Sequence, residues 1–65
     1  MEFLISLAAA RVNAKKTQEQ WAKILHVSKK TVINWENGNT SPDADKLRKI
    51  SEYSGIPMDF IFVGK

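Results

Sequence analysis

The sequence predicts an all-α fold, a compact bundle of five short helices, and three observations carry that prediction. Apolar side chains recur at helical spacing along the chain. Residues that start and stop helices alternate between those segments. No stretch alternates apolar and polar residues with period 2, so no strand is expected. The chain reads as one domain over 1–65, without internal repeat or linker. A domain of this length buries about 60% of the surface its unfolded chain exposes, so its stability is marginal.

Each element has its own signal. Phe3, Leu4, Leu7, Ala8 and Val12 share a helical face, which predicts a first helix over 2–13. Met1 and Glu2 precede this apolar run without a positive segment, which argues against a secretory leader. Thr17-Gln18-Glu19-Gln20 is a capping-box pattern that opens a second helix through Trp21, Ala22, Ile24 and Leu25. Ser28 is placed to cap a third helix, and Gly38 ends it where a left-handed residue is needed. Ser41-Pro42-Asp43 starts a fourth: a cap, a proline whose missing N–H is harmless there, and an acid at the positive dipole end. Leu47, Ile50 and Tyr53 give that helix its buried stripe, and Gly55 stops it. Pro57 opens a short fifth helix through Phe62.

Composition removes several functional classes. There is no cysteine, hence no disulfide framework and no thiolate metal site, which fits a reducing cytoplasm. His26 is the single histidine and has no second ligand nearby in sequence, so neither metal nor other cofactor is expected. No pair of groups has a recognisable catalytic spacing, which argues against an enzyme.

Charge and spacing point instead to a polyanion. Residues 11–30 carry Arg11, Lys15, Lys16, Lys23, Lys29 and Lys30 against Glu19 alone, while residues 31–64 are net acidic. The basic half ends in the segment 28–38, where Val32 and Trp35 lie on one face and Lys29, Lys30, Ile33 and Asn34 on the other. A short rigid helix that offers basic, amide and methyl groups from its free face suits the major groove of DNA. Lysine donates to guanine O6 and N7 or to a phosphate, asparagine matches adenine N6 and N7, and an apolar side chain meets the thymine methyl. The bland alternatives are solvated lysines, a surface amide at Asn34 and a harmless surface isoleucine at Ile33.

Taken together, the spacing of these residues resembles the lambda-repressor-like (Cro/CI, XRE-type) helix-turn-helix family. The resemblance runs from about Leu4 to Phe62. It is carried by Arg11, Thr17-Gln18, Ala22, Val27-Ser28, Trp35-Glu36-Asn37-Gly38, Ser41-Pro42, Leu47, Ile50 and Ile56-Pro57-Met58-Asp59. It implies a bundle of five helices with the third as the reader, the helix-turn-helix unit spanning about 17–38. By position it implies base contacts from Lys29, Lys30, Ile33 and Asn34, and phosphate contacts from Gln18, Ser28, Asn37, Thr40 and Lys16. Gln18 would also brace the reader, and Arg11 and Glu36 would form a structural ion pair joining the first helix to the end of the third.

The chain departs from the family pattern between the first two helices. Lys15 and Lys16 stand where relatives carry glycine and an apolar residue. Lys15 is therefore expected in a left-handed conformation, and Lys16 is expected to lay its stem over the core. His26 occupies a turn position that is often glycine.

The expected function is sequence-specific binding of double-stranded DNA by a cytoplasmic transcriptional regulator, a Cro-like repressor too small to hold an effector domain. An antitoxin or a restriction-modification controller would use the same reader, and a protein-interaction module could keep the fold without binding DNA. The expected partner is an imperfect palindrome bound by a homodimer, with no membrane and no small-molecule ligand. Pro57, Met58 and Phe60 are the candidate dimer interface, within an apolar run that continues to Phe62. The alternative for Phe60 is burial in its own core.

Overall fold

The computed structural model describes residues 4–62. In chain order these form β1 (Ile5–Ser6), α1 (Leu7–Asn13), α2 (Gln18–Leu25), α3 (Lys29–Glu36), α4 (Ala44–Ser54), a 3₁₀ turn (Met58–Phe60) and β2 (Ile61–Phe62). The described fold is mostly helical, with four α-helices rather than five. The difference lies at both ends of the chain.

Ser6 caps α1, its hydroxyl accepting from Ala9 N at 3.0 Å, so the helix starts at Leu7 and not at residue 2. The residues just before it pair with the end of the chain in a parallel ladder, Ile5 opposite Ile61 and Ser6 opposite Phe62. Strands two residues long are too short to show an alternation, so they carry no period-2 signal. The expected fifth helix stops after one 3₁₀ turn, closed by Phe60 N to Pro57 O at 2.9 Å, because Ile61 turns extended to join the ladder. Phe3 lies outside the described residues, and Leu4 precedes β1 and is exposed.

Starting α1 at Leu7 also changes its inner face. Leu7 and Ala10 are buried, whereas Val12, five residues on from Leu7 and about 140° round the helix, is 62% exposed. Val12 was expected inside. At the other end, α4 starts later than expected. Its cap is Asp43, whose carboxylate accepts from Lys46 N at 2.9 Å, so Ser41 and Pro42 belong to the preceding loop and Pro42 is buried there. Tyr53, expected in the buried stripe of α4, is 52% exposed and meets Trp21 in a T-shaped arrangement, centroids 6.3 Å apart.

The core draws one or more side chains from each α-helix and from β2: Leu7, Ala10, Trp21, Ala22, Leu25, Val32, Trp35, Ile50 and Ile61. Ile5, Leu47 and Ile56 pack against it from partly buried positions. Removing a side chain such as Leu25, Val32 or Ile50 from water contributes about 1.5–3 kcal/mol each, a large part of what a domain this small has. Trp21, Leu25, Val32 and Trp35 are buried as expected, and this packing fixes α3 against α2.

Candidate nucleic-acid interface

The α2–turn–α3 unit is capped at every end. The Thr17 hydroxyl accepts from Gln20 N at 3.1 Å while the Gln20 side-chain oxygen accepts from Thr17 N at 2.9 Å, the reciprocal capping box read from the sequence. The Ser28 hydroxyl accepts from Thr31 N at 3.1 Å and starts α3. Helices α1, α2 and α3 each end in a Schellman motif, in which one residue at the helix end is left-handed and the next N–H reaches back five residues. Lys16 N thus reaches Arg11 O at 3.3 Å, Val27 N reaches Ala22 O at 3.0 Å, and Asn39 N reaches Asn34 O at 2.9 Å. The left-handed residues are Lys15 (φ 60°), His26 (φ 59°) and Gly38 (φ 80°). Lys15 was expected in this conformation. Lysine and histidine do there what glycine does at less cost.

These turns set α3 with Val32 and Trp35 in the core. Lys29 and Lys30 are exposed at its first turn, and Ile33 and Asn34 are half-buried one turn on. The exposed Asn37 and Thr40 follow at its C-terminal end.

Glu36, at the end of α3, holds the unit to α1 and α2. It accepts from Arg11 Nε at 2.7 Å and Nη2 at 3.3 Å, and from Gln18 Nε2 at 2.9 Å. Arg11 Nη1 also donates to the Lys16 carbonyl at 2.9 Å. Three helices therefore meet on one carboxylate, and Arg11 ties the α1–α2 connection to them. Gln18 braces the end of α3 from the start of α2, and that bond uses one of its two Nε2 hydrogens. The Ser28 hydroxyl is shared with Thr31 Oγ1 at 2.9 Å, and either group can donate. Lys16 is half-buried.

One contact at this face has no counterpart in the sequence reading. Asn39 Nδ2 donates to Asn34 Oδ1 at 3.4 Å. A Schellman motif brings these two positions together, and an apolar contact commonly fills the place. At the end of α2, Val27 occupies it, packed against the core. The signal was present in the spacing, an amide five residues after Asn34 and directly after Gly38.

A family model described as helix-turn-helix matches residues 7–61, which takes in all four α-helices and the start of β2. The chain belongs to the helix-turn-helix family. Its branch is the lambda-repressor-like one. The chain is also 34% identical over 65 residues to the HTH-type transcriptional activator BcrR of Enterococcus faecalis. That match covers all of this chain and 32% of the relative, so the chain spans about a third of the length of the curated relative it matches. No solved structure matches it. No helix among the described residues is long and apolar enough to cross a membrane.

Proposed function

We propose that this helix-turn-helix chain is a sequence-specific reader of double-stranded DNA that regulates transcription, with α3 lying in the major groove. The observation that carries the proposal is the two-sided character of α3. Val32 and Trp35 anchor it in the core, Glu36 locks its end, and Lys29, Lys30, Ile33 and Asn34 are left on the accessible side. In this reading Lys29 and Lys30 meet guanine edges or adjacent phosphates, Asn34 an amide-matching base edge, and Ile33 a thymine methyl. Gln18, Ser28, Asn37, Thr40 and Lys16 position the backbone. Gln18 does so with its free Nε2 hydrogen, and Ser28 with its hydroxyl hydrogen when Thr31 donates the bond between them.

The relative named as a transcriptional activator supports transcription control as the setting. Repression needs only that the bound protein cover a promoter, and we assign this chain that role. Activation needs a further contact with the polymerase. We further propose that two copies bind a palindrome through the C-terminal apolar surface. Pro57, Met58, Phe60 and Phe62 are all exposed, and so is Leu4, one residue before the ladder.

Gel shift on random duplex at two salt concentrations, followed by selection from a random pool, tests the reading. Salt-sensitive binding and a recovered motif are expected. A chain that binds no duplex at low salt overturns it.

A further inference from the structure

We infer that the open pocket between the chain-end ladder and the end of α3 receives the Phe60 ring of a second copy, each copy filling the other's pocket about a two-fold axis. The inference rests on the pairing of two copies proposed above and deepens it, by naming the surface that each ring enters.

The pocket has a volume of about 240 Å³. Ser6 and Phe62, paired across the ladder, line it together with Leu7 of α1 and residues 35–38 at the end of α3. More apolar than polar surface faces it. An apolar cavity of about 150 Å³ is enough to bind benzene, so a phenyl ring fits this volume. Charge then selects the class of occupant. No lysine or arginine lines the pocket, and the Glu36 carboxylate beside it is already matched by Arg11. The end of α3 is also the negative end of its helix dipole. An anion is repelled there, whereas the positive edge of an aromatic ring is favoured.

The chain carries such a ring next to the pocket. Ile61 is buried in the core, while Phe60 and Phe62 on either side of it are 51% and 43% exposed. Phe62 lines the pocket and Phe60 does not, so Phe60 leaves the pocket of its own chain unfilled. The two residues lie about 7 Å apart along the backbone. With ring and pocket this close on one surface, a two-fold axis between them seats both rings in a single operation. A different protein would have to bring its own apolar side chain and would leave Phe60 in water. Leu4, which precedes Ile5 of the ladder, and Met58 are exposed as well and extend the apolar contact. Lys30 is about 10 Å along α3 from Asn37, so a copy seated here leaves the basic end of the helix clear.

The test mixes isotope-labelled and unlabelled protein and records NOEs between copies, free at millimolar concentration and on a palindromic duplex. Contacts are expected from the Phe60 ring of one copy to the Leu7 methyls and Trp35 indole of the other. Two variants accompany it, and pairing is read as a dissociation constant in solution or as the advantage of palindrome over half-site. Phe60→Ala removes the ring. Ser6→Asp keeps a side chain that caps α1 but puts a carboxylate at the pocket. Each is expected to weaken pairing about 5- to 30-fold, with Ser6→Asp melting within a few degrees of the parent.

NOEs that join Phe60 only to Phe60 of the other copy overturn the inference, as does parental pairing in Ser6→Asp alongside its loss in Phe60→Ala. Two copies then meet on the apolar surface without using the pocket, and the pairing itself stands. A chain that stays monomeric, and binds palindrome and half-site alike, removes the pairing instead. Partition of that monomer into neutral phosphatidylcholine vesicles, lost in Phe60→Ala, gives the ring to lipid and overturns both.

Discussion

Arg11 and Glu36 lie 25 positions apart in sequence and meet at 2.7 Å, Nε to Oε2, with side chains only 17% and 8% exposed. Surface ion pairs of this kind contribute little, because water screens them and two long side chains lose freedom. This pair is shielded, and Glu36 serves Gln18 as well. Removing either partner leaves donors or a charge without compensation. Arg11→Ala and Glu36→Ala should each destabilise the fold by about 2–4 kcal/mol, against a total of roughly 3–10 kcal/mol for a domain this size. Thermal denaturation of the two variants and the double variant checks this. If both single variants melt with the parent, the pair is worth no more than an exposed one.

The left-handed residues give a prediction of opposite sign. Lys15 and His26 sit near φ 60°, where a Cβ costs about 1–2 kcal/mol relative to glycine. Glycine also adds freedom to the unfolded chain, which offsets part of the gain. Lys15→Gly and His26→Gly should each raise stability by about 0.5–1 kcal/mol, or about 2–6 °C in Tm. Gly55→Ala should do the reverse by a similar amount, through backbone strain alone. A methyl at Gly55 would meet no atom within 4 Å, but its φ is 76°.

These same positions show where the sequence was readable. The capping box at Thr17, the Ser28 cap, the stops at Gly38 and Gly55 and the left-handed Lys15 are local signals, each decided within a few residues, and each is in the structure. The inward set Trp21, Leu25, Val32 and Trp35 followed from helical spacing. The Arg11–Glu36 pair was legible only through the family resemblance, since nothing local links residues 25 apart. The ladder was not legible, because pairing Ile5 with Ile61 is a decision between the two chain ends. That one decision shortened the first helix, cut the fifth to a 3₁₀ turn and left Val12 outside. The Asn39–Asn34 contact was missed because it forms only through the turn that the left-handed Gly38 makes.

Base readers and backbone holders should separate in binding. If Asn34 meets a base edge, Asn34→Ala weakens the selected site by about 1–3 kcal/mol and leaves random duplex nearly unchanged. Gln18→Ala removes a brace on Glu36 and, in the proposed reading, a phosphate donor, so it should weaken both duplexes alike. Affinity titrations on the two duplexes decide it, and equal losses on both for Asn34→Ala would contradict its assignment to a base.

Salt reports the lysines. Each phosphate contact contributes a slope of about 0.9 in log affinity against log salt. Lys29→Ala and Lys30→Ala, both exposed at the start of α3, should lower the slope by up to about that amount each. Lys16→Ala should lower it too if its ammonium reaches the backbone from its half-buried site. An unchanged slope for Lys16→Ala assigns its stem to the core alone.

The last prediction concerns the second copy. A single helix in the major groove touches only a few base pairs, too few to select a site in a genome, and a two-fold pair doubles the reading. Phe60 is 51% exposed and therefore does not fold back into its own core, and Phe62 and Met58 beside it in sequence are exposed as well. Ile61, between them, is buried, so the segment is anchored by one side chain while its neighbours face outward. Burying these rings against a partner would remove apolar surface from water at about 25 cal/mol per Å², enough to help two copies on DNA even where they separate in solution. Operators should then be imperfect palindromes with half-sites centred about 34–36 Å apart, one helical turn. A full palindrome should bind more tightly than twice the occupancy of an isolated half-site. Phe60→Glu should lose that advantage while binding the half-site as the parent does, and its Tm should stay within a few degrees because Phe60 is outside the core. Titration of both duplexes, with calorimetry of the variant, tests it. If half-site and palindrome bind alike in the parent, and Phe60→Glu matches the parent on both, the C-terminal surface joins no second copy.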